Sequence, residues 1–339
     1  MNRFLKTPLA ILALMGATTA AQAQDVTIRV HHFMSQKAPL HAKFLVPFSE
    51  RIAEASDGRI KVEVFNSMSL GGTPGDLYDQ AVDGAVDAVL TLPGYTPGRF
   101  ERLEVFELPF MMQDSVATSK ATYDLVESEL QDAEFEETKV LATWVHGPGV
   151  VHTKDPVTKL EDLVGKELRG PTRLVTDLLG ELGATPVGMP LPKIPENLSK
   201  GVISGAVIPW EVVPSIKLQE LATNHTELPG DRALYTATFV LAMNWDAYEA
   251  MPDDLRAILD AETGKGLSQF AGEVLASADV GGRGTAKNNN IIQLGADEVA
   301  RWIEASQPVY ERWVASASDA GFDGQAAIDQ AKALIEANK

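Results

Sequence analysis

Between Val26 and Leu92 the apolar residues switch repeatedly between two spacings. Val26, Ile28 and Val30 alternate with polar residues, the period of a strand. Leu40, Phe44, Phe48 and Ile52 recur every fourth residue, the stripe of one helix face. Pro39 suits the first turn of that helix, and Ser56-Asp57-Gly58 punctuates its end. Ile60, Val62 and Val64 alternate again. The loop Leu70-Gly71-Gly72-Thr73-Pro74-Gly75 feeds a helix to about Asp83, and Val86 to Leu92 reads as a buried strand. Strand–helix–strand–helix–strand with crossovers of this length requires an α/β architecture with a mainly parallel sheet.

The same grammar returns later. Strands are expected over Val140 to Val145, Val164 to Arg169, Thr185 to Met189 and Ala206 to Ile208, with helices over Leu174 to Leu182 and Ile194 to Lys200. A further alternating strand is expected over Tyr235 to Leu241. After Pro252 the pattern is helical nearly to the end, with a bend or break expected at Gly281-Gly282-Arg283-Gly284, because interior glycines cost a helix up to about 1 kcal/mol each. A chain of 339 residues with 45% apolar content has material for two such lobes.

Residues 1–23 have the three parts of an export signal: Arg3 and Lys6, the apolar run Leu9 to Met15, and the small-x-small site Ala21-Gln22-Ala23. No later apolar run reaches the roughly 18 residues of a spanning helix. Cleavage after Ala23 removes two cations and no acids, making an already acidic chain, net −18, more acidic still. The expectation is a soluble periplasmic protein. The acidity argues against a nucleic-acid partner, since phosphate affinity needs clustered cations. The absence of cysteine excludes disulfides, zinc-thiolate sites, cysteine nucleophiles and a lipoprotein anchor.

Catalytic signatures are missing. No phosphate-binding loop, dinucleotide fingerprint, nucleophile elbow or H-E-x-x-H occurs, and no histidine pairs at metal-helix spacing. A Ser-His-Asp site assembled from distant segments stays open at this level. The expectation is no enzyme, no cofactor and no metal. An internal echo is positive information. Asp83 to Leu90 resembles Lys200 to Val207; each is aimed at a proline (Pro93, Pro209) and then an aromatic residue (Tyr95, Trp210). Ligands of α/β sheets sit beyond the carboxyl ends of strands, so the echo points to a cleft between two lobes. In Gly165-Lys166-Glu167-Leu168-Arg169-Gly170-Pro171-Thr172, Arg169 stands at such a strand end, and its planar fork suits a carboxylate.

At these residues the chain resembles the substrate-binding proteins of tripartite ATP-independent periplasmic (TRAP) transporters. The resemblance rests on the order and spacing of His32-Phe33 to Ile52, Asp57-Gly58-Arg59-Ile60, Leu70-Gly71-Gly72, Asp83 to Asp87, Glu107-Leu108-Pro109-Phe110, Gly165 to Arg169, Leu182 to Val187 and Gly201 to Gly205. It implies a two-lobed periplasmic binding protein fold with crossing strands and a long C-terminal helix spanning both lobes. The lobes would be 24–147 plus about 236–275, and 148–235 plus parts of 276–339. It also implies a small organic acid as ligand, Arg169 as its anchor, and small and large membrane subunits driven by an ion gradient as partners, with the receptor a monomer. Where relatives carry an Asn-Pro-like segment, this chain has Ser204 to Glu211, so Trp210 is expected to take that wall of the pocket.

The other candidate ligand contacts are Phe33 after the first strand, Tyr95 after the third, His146 before Gly147-Pro148-Gly149, and Arg173 one turn into the following helix. Glu211 reads as a solvated or structural carboxylate. Aromatic residues near strand ends favour a ligand with one carboxylate and an apolar or ring-bearing body; a dicarboxylate needs a second cation, for which Arg173 is the candidate. Two rival readings remain at this level: a secreted enzyme acting on a similar acid, and the binding protein of an ATP-driven importer.

Overall fold

The computed structural model describes residues 25–230 and 232–339; the expected export signal, residues 1–23, lies outside them. Among the described residues are eleven strands: β1 (Val26–His32), β2 (Ile60–Phe65), β3 (Ala88–Thr91), β4 (Thr138–Val145), β5 (Gly149–Thr153), β6 (Glu167–Gly170), β7 (Thr185–Gly188), β8 (Gly205–Pro209), β9 (Asn224–Glu227), β10 (Thr238–Asn244) and β11 (Asn290–Gln293). They form two sheets, ordered β2-β1-β3-β10-β4 and β11-β9-β5-β8-β6-β7. The architecture is the expected two-lobed α/β fold.

The first sheet follows from the opening pattern. β1 pairs in parallel with β2, from Val26 against Ile60 to His31 against Phe65, and with β3. The crossover helix starts as a π-turn at Leu40–Leu45 and continues as an α-helix over Val46–Ala55. Leu40, Phe44, Phe48 and Ile52 are all buried, as their four-residue spacing requires. Asp57 and Gly58 then take left-handed backbone angles, φ +52° and +80°, which turn the chain into β2. β10 enters antiparallel between β3 and β4. It begins three residues later than the alternation at Tyr235 to Leu241 predicts. Every residue of β10 is buried, so no solvent face exists to set a period of two.

Three strands of the second sheet escaped the sequence reading. β5 is buried throughout and does not alternate. β9 (NHTE) and β11 (NIIQ) are only four residues long, and each opens with Asn, which strands ordinarily disfavour. They form because β9 is sandwiched between β5 and β11, with Asn224 and Asn290 joined side chain to side chain.

The long C-terminal helix is present over 296–319 as two consecutive segments, Ala296–Ala305 and Gln307–Asp319. It touches both lobes: Tyr310 Oη donates to the Pro109 carbonyl at 2.7 Å, and Arg312 pairs with Glu181 at 2.7 Å. A second spanning helix, Lys265–Thr285, precedes it. Ser268 Oγ accepts the Thr143 N–H on β4, while Asp279 Oδ1 accepts the Glu211 N–H beyond β8. The expected break at Gly281 to Gly284 does not occur; the helix runs through to Thr285. Gly282 is there because a Cβ at that position would collide with the Trp210 carbonyl oxygen. The glycine permits backbone to rest directly on the helix. Among the described residues no helix is long and apolar enough to cross a membrane.

Candidate functional site

Two of the passages of the chain between the sheets, from β4 to β5 and from β9 to β10, are laced together. His146 N–H donates to the Ala237 carbonyl, Gly149 N–H to the Tyr235 carbonyl at 3.1 Å, and Thr236 Oγ1 to the His146 carbonyl at 2.7 Å. Gly149 is required here, since a Cβ would strike the Tyr235 ring. Beside these crossings lies a cavity of about 40 Å³. Its walls come from the carboxyl ends of strands in both sheets. Phe33 and Met34 follow β1, Leu92 and Tyr95 follow β3, His146 follows β4, Arg169 ends β6, and Glu211 and Val212 follow β8. A wider groove along helices Gln307–Asp319 and Gly324–Ala337 is different in kind. Its charged residues, Arg232, Glu311, Lys332 and Glu336, are all exposed.

Arg169 is 2% exposed. Its Nε donates to the Met189 carbonyl at 2.8 Å and its Nη1 to the Val207 carbonyl at 3.3 Å, contacts that orient the guanidinium without neutralising it. Among the described residues no carboxylate lies within ion-pair reach of Arg169, whereas most other arginines are paired. A guanidinium stays charged, and a buried charge without a counter-ion is costly. The surroundings register that charge. It opposes the upward push of burial on the Tyr95 and Tyr235 phenols and adds to the downward push on His146.

The polar groups around Arg169 are fixed and only partly satisfied. Tyr95 Oη accepts the Leu191 N–H at 3.1 Å, a bond joining the two lobes, and its ring meets Phe33 edge-on at 5.4 Å. His146 is held near pKa 4 by burial and is neutral at pH 7. Its Nδ1 lies 2.6 Å from the Gly147 carbonyl and therefore carries the proton, so the bare Nε2 is an acceptor. That Nε2 and Tyr235 Oη are both buried and, among the described residues, have no hydrogen-bond partner. His146 packs edge-on against Tyr235 at 5.2 Å, and Phe239 backs the cavity while stacking on Trp144 at 5.7 Å.

Four expected residues, Arg169, Phe33, Tyr95 and His146, thus line one cavity. Two do not. Arg173 pairs with Glu104 across the lobes, where burial pushes the Glu104 carboxyl up to about 7 against the pull of that arginine. Trp210 turns away from the cavity: its Nε1 donates to Glu227 at 2.8 Å and its ring packs on His152 and His225. The wall assigned to it is formed by Glu211 and Val212, so Glu211 is not solvated. Tyr235 and Phe239 were missed as site residues. They sit in and just after the second crossing, where alternation suggested an ordinary strand.

Behind Trp210 the two histidines form a chain with one consistent set of protons. Asn289 Nδ2 donates to His225 Nε2 at 3.0 Å. His225 Nδ1 and His152 Nδ1 are 2.6 Å apart, and His152 Nε2 donates to the Ile208 carbonyl at 3.1 Å. Each ring is neutral in this arrangement, and burial lowers both pKa values far below the ordinary 6.5. Unfolding frees the rings to take up protons once the pH falls below about 6.5, so their contribution is complete above that pH and shrinks below it. In His152→Gln, the drop in urea midpoint between pH 7 and pH 5 should be smaller than in wild type; an equal or larger drop contradicts this. Glu104, Glu134 and Asp279, pushed up to about 7 by burial, bend the stability curve the other way, so the difference between the two proteins is the readout. Among the described residues no group of three or more His, Asp or Glu is arranged to hold a metal ion.

Comparison with known proteins agrees with this geometry. The family model for bacterial extracellular solute-binding proteins, family 7, matches residues 30–317. A TRAP solute-binding protein from Rhodoferax ferrireducens T118, solved with copurified benzoate, is 47% identical with a TM-score of 0.90, covering 92% of this chain and 98% of that one. Another, from an unidentified marine-metagenome microbe, is described as specific for aromatic acid ligands and was solved with 3-hydroxybenzoate. It is 42% identical with a TM-score of 0.91, covering 94% and 100% of the two chains. The C4-dicarboxylate-binding periplasmic protein DctP of Rhodobacter capsulatus is 25% identical over 88% of this chain and 92% of its own length.

Proposed function

The chain belongs to family 7 of the bacterial extracellular solute-binding proteins, and from that premise we propose that it is a periplasmic receptor for an aromatic monocarboxylate. It delivers that acid to the small and large membrane subunits of an ion-gradient-driven TRAP transporter. The observation that carries the reading is the buried Arg169 guanidinium, for which the described residues supply no carboxylate. A ligand carboxylate meets the fork in a water-poor setting, where a charge-assisted bidentate pair is strongest. Tyr235 Oη is placed to donate a further hydrogen bond. Phe33, Tyr95 and Phe239 offer ring surfaces for an aromatic body. A dicarboxylate is disfavoured, because the other nearby cation, Arg173, is taken by Glu104. Benzoate and 3-hydroxybenzoate in the two similar structures support the same ligand class.

Closure follows from where the contacts lie. The lobes that move are 24–147 with about 236–275, and 148–235 with parts of 276–339. Tyr95 to Leu191 and Arg173 to Glu104 bridge them in the closed form. A ligand touching Arg169 on one side and Phe33 on the other adds contacts that only the closed form makes, and so shifts the population toward it. The membrane subunits read that closed shape. The receptor acts as a monomer, as no enzyme, and returns its ligand unchanged. Its export is supported by the segment 1–23 and by the periplasmic location in the name of the Rhodobacter relative.

A thermal-denaturation screen against aromatic and aliphatic monocarboxylates tests the reading. An aromatic acid at 100 times its dissociation constant should add about 2.7 kcal/mol of stability, and mass spectrometry should recover it intact. No stabilisation by any aromatic acid, or conversion of the ligand, contradicts the proposal.

A further inference from the structure

The cavity has a second polar pole, which the receptor reading leaves unused. Glu211 lines it and is 7% exposed, yet among the described residues no group hydrogen-bonds or ion-pairs with its carboxyl. What is fixed is its main chain: the Glu211 N–H donates to Asp279 Oδ1 at 2.7 Å, on the spanning helix Lys265–Thr285. Burial and the neighbouring Asp279 carboxyl raise the Glu211 pKa well above the usual carboxylate range. Its two oxygens can accept hydrogen bonds, and the proton that these surroundings favour can be donated. Arg169, Tyr235 and Glu211 line the same cavity, with apolar walls from Phe33, Val212 and Phe239.

Resting on the receptor reading above, we propose that Glu211 is a specificity-determining residue that binds a ring hydroxyl of the aromatic acid whose carboxylate Arg169 holds. A hydroxyl both donates and accepts, so it can pair with the carboxyl in either protonation state. An acid without that group leaves a buried polar side chain unpaired, which is how such sites discriminate. A second carboxylate would be set against the Glu211 and Asp279 carboxyls, and an ammonium pairs well only with an ionised Glu211.

Calorimetry at pH 7 with benzoate, 3-hydroxybenzoate, 4-hydroxybenzoate and 3-(aminomethyl)benzoate tests this in wild type, Glu211→Gln and Glu211→Leu. In wild type one hydroxy isomer should bind about tenfold tighter than benzoate, the worth of one buried hydrogen bond. Glu211→Gln, neutral and of the same shape, should keep most of that advantage. Glu211→Leu should reduce it to within about twofold. The inference is overturned if benzoate binds and neither hydroxy isomer exceeds it, if the advantage survives in Glu211→Leu, or if the ammonium-bearing acid binds best. The wild-type comparison and Glu211→Gln carry the test should the leucine variant not fold. Failure of all four acids to bind wild type instead removes the receptor reading, and this inference with it.

Discussion

Arg169→Met should weaken binding of an aromatic acid by about 2–5 kcal/mol, roughly thirty- to five-thousandfold, while ligand-free stability stays within about 1 kcal/mol of wild type or rises. The two halves of this expectation come from one fact. Arg169 is buried, held by the Met189 and Val207 carbonyls, and no described residue offers it a carboxylate. Without ligand the charge is a burden, and replacing a buried ion with an apolar group of similar volume is often neutral or stabilising. Two carbonyls lose their donors, which offsets part of that gain. With ligand, the same charge is the main attraction. Arg169→Lys should also bind poorly, because an ammonium cannot hold both carbonyls and still present a planar fork. Calorimetry gives the affinities and urea unfolding the stabilities. A variant that binds normally, or one that loses binding together with several kcal/mol of ligand-free stability, contradicts the assignment.

Gly282→Ala should destabilise the protein by about 3 kcal/mol, although alanine is the better helix former by up to about 1 kcal/mol. The new methyl group would meet the Trp210 carbonyl oxygen, its carbon and the Glu211 nitrogen, all main-chain atoms that cannot rotate aside. Relief requires the 3₁₀ helix Trp210–Ile216 to lift off the spanning helix, which also breaks the Asp279 to Glu211 bond. Ligand affinity should fall with stability, because Glu211 and Val212 wall the cavity. The flanking positions are internal controls. Gly281 and Gly284 are exposed and a Cβ there meets nothing within 4 Å, so alanine at either should stabilise by up to about 1 kcal/mol. Similar effects at all three positions, measured as urea midpoints, would mean the helix does not bear on Trp210 as described.

These glycines show where the sequence could and could not be read. Local grammar was legible: the four-residue stripe from Leu40 to Ile52 has a polar face opposite, and a half-exposed helix writes its period into the chain. Fully buried β5 and β10 write no period, so one was missed and the other misplaced. Gly281 to Gly284 read as a helix break on propensity alone, while the reason for Gly282 lies some seventy residues away, at Trp210. Arg169 was legible because strand-end placement is a local fact with a general consequence. Trp210 and Glu211 were exchanged for the same reason that Gly282 misled. Which of two neighbours faces the cavity is set by partners distant in sequence, Glu227 for the indole and Asp279 for the Glu211 main chain. Tyr235 lay hidden in a crossing segment whose position depends on how two sheets meet.

Benzoate and benzamide have nearly the same shape and differ in charge at the group meant for Arg169, so titrating both into wild-type protein at pH 7 isolates the central claim. Benzoate should bind at least about a hundredfold tighter, the scale of a desolvated charge pair, and the gap should close in Arg169→Met. Equal affinity for the two, or a gap that persists in the variant, would show that the buried guanidinium is not what holds the ligand.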